Sequence, residues 1–123
     1  MNSKMENNEF ADKLEKRTLL FAIEIIRLSG KLPDNTEGRI IRNQITKSGT
    51  SVGANYREAN RARSRADFKN KIKICEGEAS ETQYWLEIIK EMKWLDIEKI
   101  KPVLEECNEL IAIFSSIAIK LSG

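Results

Sequence analysis

Residues 47–59 read KSGTSVGANYREA, a stretch with two glycines, three small hydroxyl side chains and little bulk. Such a segment is either a loop that cradles a phosphate or a helix pared back so that another helix can approach. A phosphate loop needs GxxxxGK[ST] between a strand and a helix. Here the order is Lys47-Ser48-Gly49-Thr50, with no glycine at the required spacing ahead of the lysine and no strand before it. On a helix the same residues fall into order. Ile41, Ile45, Ser48, Val52, Asn55, Ala59 and Ala62 follow one another at steps of three and four. Gly49 and Gly53 flank that stripe as a G-x-x-x-G pair, the spacing that lets a neighbouring backbone come close. Two helical glycines cost about 2 kcal/mol relative to alanine, so tertiary packing has to offset them.

Helical spacing extends outward in both directions, and no β-type alternation persists anywhere. A first helix is expected over about 8–29, with Phe10, Leu14, Phe21, Ile25 and Leu28 on its stripe. GKLPDNT ends it: Gly30 suits a C-terminal cap, Pro33 cannot continue, and 34–36 offer caps to the next helix. The second helix is expected over 36–62. Ser64 and Asp67 are spaced as in a capping box opening a third helix over 65–93. The fourth is expected over 98–121, with Pro102 in its first turn or at a kink. Short connections make neighbours antiparallel. The fold class is therefore all-α, an antiparallel up-down-up-down four-helix bundle forming one domain over 1–123.

Counting around the 63–65 turn places Cys75, Ala79 and Thr82 opposite Val52 and Ser48, so the third helix is expected to fill the glycine seam. The same count brings Ser48 and Ser51 near Glu78 and Glu81, where hydroxyls could donate to carboxylates. Asn55 reads as a core amide that fixes register or as a ligand contact. Trp85, Ile88, Met92, Ile113 and Ile119 lie off the main stripes. They mark a wide core or a second, intersubunit face, the latter favoured.

The chain has no histidine, which removes the commonest general base and metal ligand and every Ser-His or Cys-His pair. Cys75 and Cys107 stand alone and read as core residues in a reducing compartment. No catalytic residues, cofactor or metal site are expected. The polar N-terminus MNSKMENNEF does not resemble a signal peptide. The densest apolar run, IAIFSSIAI at 111–119, is too short to span a bilayer. A cytoplasmic, non-membrane protein is expected.

Net charge is only +2, but its distribution is uneven. Residues 35–74 carry ten Lys/Arg against three acids, residues 75–123 carry five against ten, and residues 1–34 balance. Arg57, Arg61, Arg63, Arg65, Lys69, Lys71 and Lys73 crowd the turn between the second and third helices. Three of these lysines sit in the first turns of the third helix, where the helix dipole favours anions. Two readings stand: phosphate binding to RNA or DNA without reading sequence, or an assembly contact with the acidic half of a neighbour. A protein client is a further possibility.

The run NYREANRARSRADFKNKIKICEGEASETQYWLEII (55–89), with QITKSGTSVGA (44–54) and the LPDNTEG turn, resembles the bacterial four-helix-bundle proteins of the ribosomal RNA intervening-sequence type. The matching positions include Ser48, Ser51, Asn55, Glu58, Ser64, Lys71, Glu78, Glu81 and Trp85. The resemblance implies a bundle assembled as a ring-shaped homopentamer with no established enzymatic activity. A similar bundle in accessory proteins of diversity-generating retroelements binds nucleic acid and a reverse transcriptase, an analogy that supports the nucleic-acid reading.

Overall fold

The apolar stripes become four α-helices in the computed structural model, which describes the backbone of residues 3–122 and the side chains of residues 7–122. They are α1 (Ser3–Ser29), α2 (Thr36–Ala59), α3 (Arg65–Glu91) and α4 (Ile97–Ser122). Residues 1, 2 and 123 of the expected domain, and the first six side chains of the polar N-terminus, lie outside that description. No strand occurs among the described residues. α1 begins earlier than expected, and α2 ends at Ala59 rather than 62. Past that point the chain turns, with Arg61 N–H on the Glu58 carbonyl and Ala62 N–H on that of Ala59. α4 starts at Ile97, which puts Pro102 in its second turn rather than its first.

The helix ends follow local chemistry. Asn35 caps α2 by accepting from Gly38 N–H at 2.8 Å. Gly38 itself is obligatory, because a Cβ there would overlap the Pro33 carbonyl oxygen. Ser64 caps α3 by accepting from Asp67 N–H at 3.0 Å, the expected spacing. Gly30 does not act as a left-handed cap: no glycine among the described residues has positive φ. Arg42 takes over that work, donating to the carbonyls of Ser29 and Leu32 at 3.1 and 2.8 Å. α3 closes with Lys93 in the left-handed region at φ 56°. The Trp94 and Lys93 N–H groups there reach back to the Ile89 and Lys90 carbonyls, the hydrogen-bond pattern of a Schellman cap.

Each helix packs against its sequence neighbours, and α1 closes the bundle against α4 with the thinnest seam. Neighbouring helices run antiparallel: Lys71–Glu58 and Thr82–Ser48 join α3 to α2, and Arg65–Leu121 and Ala79–Cys107 join α3 to α4, each pair in opposite chain order. Asn60 donates to Glu15, Thr82 meets Ser48, Cys107 Sγ donates to the Ala79 carbonyl, and Arg17 forks onto Glu106. The Thr82–Ser48 pair is the register that counting around the turn predicts. On α1, Leu14, Phe21, Ile25 and Leu28 are buried as expected, but Phe10 is half exposed and Thr18 is fully buried among them.

Two expectations about α2 need correction. Gly49 and Gly53 face α1, not α3: a Cβ on Gly49 would press into Ile25 at 2.7 Å, and one on Gly53 would stand 3.0 Å from Thr18 Oγ1. The core position near the end of α2 belongs to Tyr56, which is 2% exposed and packs on Phe114 with ring centroids 5.7 Å apart. Asn55 is only half buried and donates to the Ser51 carbonyl one turn back.

Candidate nucleic-acid interface

All seven predicted basic residues lie at one end of the bundle. Arg57 is in the last turn of α2, Arg61 and Arg63 are on the connection, and Arg65, Lys69, Lys71 and Lys73 occupy the first turns of α3. Antiparallel packing brings the same end together with the N-terminal half of α1 and the C-terminus of α4. Asn60 Nδ2 donates to Glu15 at 2.8 Å, and Arg65 Nη2 donates to the Leu121 carbonyl at 3.3 Å.

The fold treats these cations differently. Arg57 pairs with Glu15 at 3.7 Å, and Lys71 pairs with Glu58 at 3.2 Å. Such partly exposed pairs contribute about 0–1 kcal/mol. Arg65 serves α4, where a cation on the last carbonyls suits the negative end of the helix dipole. Its position against the dipole of α3 is thereby explained. Arg61, Arg63, Lys69 and Lys73 make no ion pair among the described residues. Arg61, Arg63 and Lys73 are exposed, and Lys69 is half buried. These four cations are therefore without an ion-pair partner among the described residues.

The other singled-out residues line the α2–α3 seam. Ser48 is fully buried, its hydroxyl 2.8 Å from that of Thr82, with the Ile45 and Glu78 carbonyls as outer acceptors. Ser51 donates to the Lys47 carbonyl at 2.7 Å. The expected serine-to-carboxylate bonds do not form, because each hydroxyl finds a nearer acceptor. Glu78 is half buried, and its carboxyl is pushed up mainly by that burial, next by neighbouring Glu81, with Lys47 opposing. Glu81 is exposed. Trp85 is half buried, edge-on to Tyr84, and its Nε1 is a sealed donor without an acceptor.

Burial pushes both cysteine thiols up to about 12, which keeps them from acting as thiolate nucleophiles near neutral pH. Among the described residues no cluster of three or more His, Cys, Asp or Glu could hold a metal ion. No described helix is long and apolar enough to cross a membrane. The surface clefts are shallow. One of about 220 Å³ opens on the α1–α4 seam beside Leu20, Phe21 and Pro102. Another, of about 290 Å³, is lined by Ile40, Ile88, Met92 and Trp94 at the end opposite the basic turn.

Sequence reasoning missed Thr18, Gly38, Arg42 and Tyr56. The signals were slight: a threonine in phase with the α1 stripe, a glycine three residues past a cap, and a tyrosine beside an asparagine.

Residues 12–116 match the model of the 23S rRNA-intervening sequence protein family. The chain is also similar to a crystal structure of a protein of unknown function from the S23 ribosomal protein family of Bacteroides thetaiotaomicron VPI-5482. The two are 38% identical with a TM-score of 0.79, over 85% of this chain and 96% of the other. No curated protein matches the sequence.

Proposed function

This chain belongs to the 23S rRNA-intervening sequence protein family, and from that premise we propose that it is a non-enzymatic, oligomeric accessory protein that binds nucleic acid through phosphate contacts at its basic end. The observation that carries this reading is the set Arg61, Arg63, Lys69 and Lys73, gathered at one end without ion-pair partners among the described residues. Clustered Lys and Arg supply the sequence-independent share of nucleic-acid affinity through counterion release. The ribosomal names carried by the family and by its solved relative accord with an RNA setting, and neither states an activity.

Self-association is part of the proposal. Leu19, Leu20 and Ile26 on α1, Ile40 on α2, Tyr84 and Met92 at α3, and Ile119 on α4 are each at least 46% exposed, and Ile40 and Met92 share one apolar cleft with Ile88 and Trp94, the kind of surface that marks an association face. A closed homo-oligomer would cover it, and the family resemblance makes a pentamer the first expectation. Such a ring would present its basic ends together. The acidic half of the chain supports a second reading, in which the basic end meets a neighbouring subunit or a protein client.

The test is titration of the purified protein with unrelated RNA and DNA across a salt series, with light scattering run in parallel. The expected result is binding that ignores sequence, weakens steeply with salt, and falls when Arg61 and Arg63 are changed to serine while the assembly persists. Dissociation of the oligomer by those changes, with no RNA or DNA binding by the parent at low salt, would overturn it in favour of the assembly reading.

A further inference from the structure

Resting on the reading of the basic end as a phosphate-binding surface, we infer that its nucleic-acid ligand is double-stranded and that single strands are the poorer ligand. Proteins that hold single strands combine a basic groove with aromatic side chains on which successive bases stack. This chain has eight aromatic rings, and the fold withdraws nearly all of them from the basic end. Tyr56 precedes Arg57 in sequence, but its ring lies against Phe114 in the core. Phe68 precedes Lys69 and is packed against the same core. Only Phe10 and Tyr84 are exposed. Tyr84 sits roughly 28 Å along α3 from Arg65, at 1.5 Å per residue, and leans on Trp85. Phe10, one turn before Leu14 on α1, is then the one exposed ring at that end, and Phe68 offers only the edge that its half-burial leaves. One exposed ring per subunit, set apart from the next subunit's by at least a helix diameter of about 10 Å, offers no platform for successive bases.

The cations fit a duplex better. The α3 stretch from Arg65 to Lys73 covers about 12 Å of helix, while a duplex presents a phosphate charge every ~1.7 Å of its axis. Neither the α1–α4 cleft nor the cleft beside Ile40 and Met92 is lined by Arg61, Arg63, Lys69 or Lys73. These residues flank a helix–helix turn at the end of the bundle, where a stiff double helix can lie across them.

Fluorescence anisotropy decides the matter, using a short mixed-sequence duplex and non-pairing oligo-dT and oligo-U of equal length, at matched low salt. The expected result is a Kd for the duplex about tenfold below that for either single strand, as its higher charge density implies. The variant Phe10→Ala should leave duplex affinity unchanged. Equal or tighter binding of the single strands would overturn the inference while leaving the phosphate-binding reading intact. So would a Phe10→Ala variant that loses affinity for both forms. If neither form binds at low salt, the phosphate-binding reading fails and this inference falls with it.

Discussion

A methyl group added at Gly53 would stand 3.0 Å from Thr18 Oγ1 and 3.3 Å from the Thr18 carbonyl carbon, so the pared-back face of α2 is shaped to receive α1. Substitution by leucine should force these two helices apart. Overpacking of this kind costs about 1–3 kcal/mol, and a denaturant melt will register it as a lower midpoint. Thr18→Ala in the same chain should recover part of the loss, because it removes the nearest atom, Oγ1, while Cβ and the carbonyl carbon stay. A Gly53→Leu protein as stable as the parent would remove the close-approach explanation.

Across the other face of α2, the Ser48 and Thr82 hydroxyls satisfy one another in a site with no water access. Thr82→Val leaves Ser48 with only the long 3.4 Å contact to the Ile45 carbonyl. An unsatisfied buried hydroxyl costs about 1–3 kcal/mol. Combining it with Ser48→Ala should cost less than the sum of the two single changes, since no orphan remains. Strict additivity in the double-mutant cycle would refute the coupling.

Lys93 holds a left-handed conformation, φ 56°, at the end of α3. For a residue with a Cβ that region costs about 1–2 kcal/mol, while glycine loses extra freedom on folding. The net expectation for Lys93→Gly is a gain of roughly 0.5–1 kcal/mol, read as a raised thermal midpoint. A lowered midpoint would mean that the lysine makes compensating contacts.

Glu78 titrates above the ordinary glutamate range, chiefly through burial and then through Glu81. Its folded pKa exceeds the unfolded one, so the folded state holds the proton more tightly. The contribution of this group to stability is complete below the unfolded value and is lost as pH rises through the folded one. Glu78→Gln should therefore raise the melting temperature at neutral pH more than under acid conditions. Equal shifts at both pH values would show that the carboxyl is solvated.

The Ser48–Thr82 register could be counted from the hairpin between α2 and α3, and the four stripes gave the bundle. The glycines were harder to read. Gly49 and Gly53 stand one residue past Ser48 and Val52, about 100° further round the helix at 3.6 residues per turn, and a count across one turn does not say which neighbour occupies that flank. Asn55 and Tyr56 compete for one core position in the same way, and the larger apolar body wins it. Phe10 is in phase with Leu14 yet half exposed, because a stripe says nothing about where the partner helices stop. The Arg57–Glu15 and Arg65–Leu121 contacts join segments far apart in sequence. Composition could locate the basic end but not tell its engaged cations from its free ones.

That division yields the last prediction. Arg57 and Lys71 are held by Glu15 and Glu58, whereas Arg61 and Arg63 have no such partner among the described residues. The double change Arg61→Ser with Arg63→Ser removes the same formal charge as Arg57→Ser with Lys71→Ser. If the free cations neutralise the phosphates, the first pair should reduce the salt slope of binding by about two, near one for each cation removed. The second pair should reduce it by clearly less. Local charge alone does not distinguish the two pairs, so a difference in slope would report geometry rather than net charge. Equal slopes would mean that the Glu15 and Glu58 pairs open on binding and that all the cations act together. A slope unchanged by either pair would move phosphate binding away from this end of the bundle.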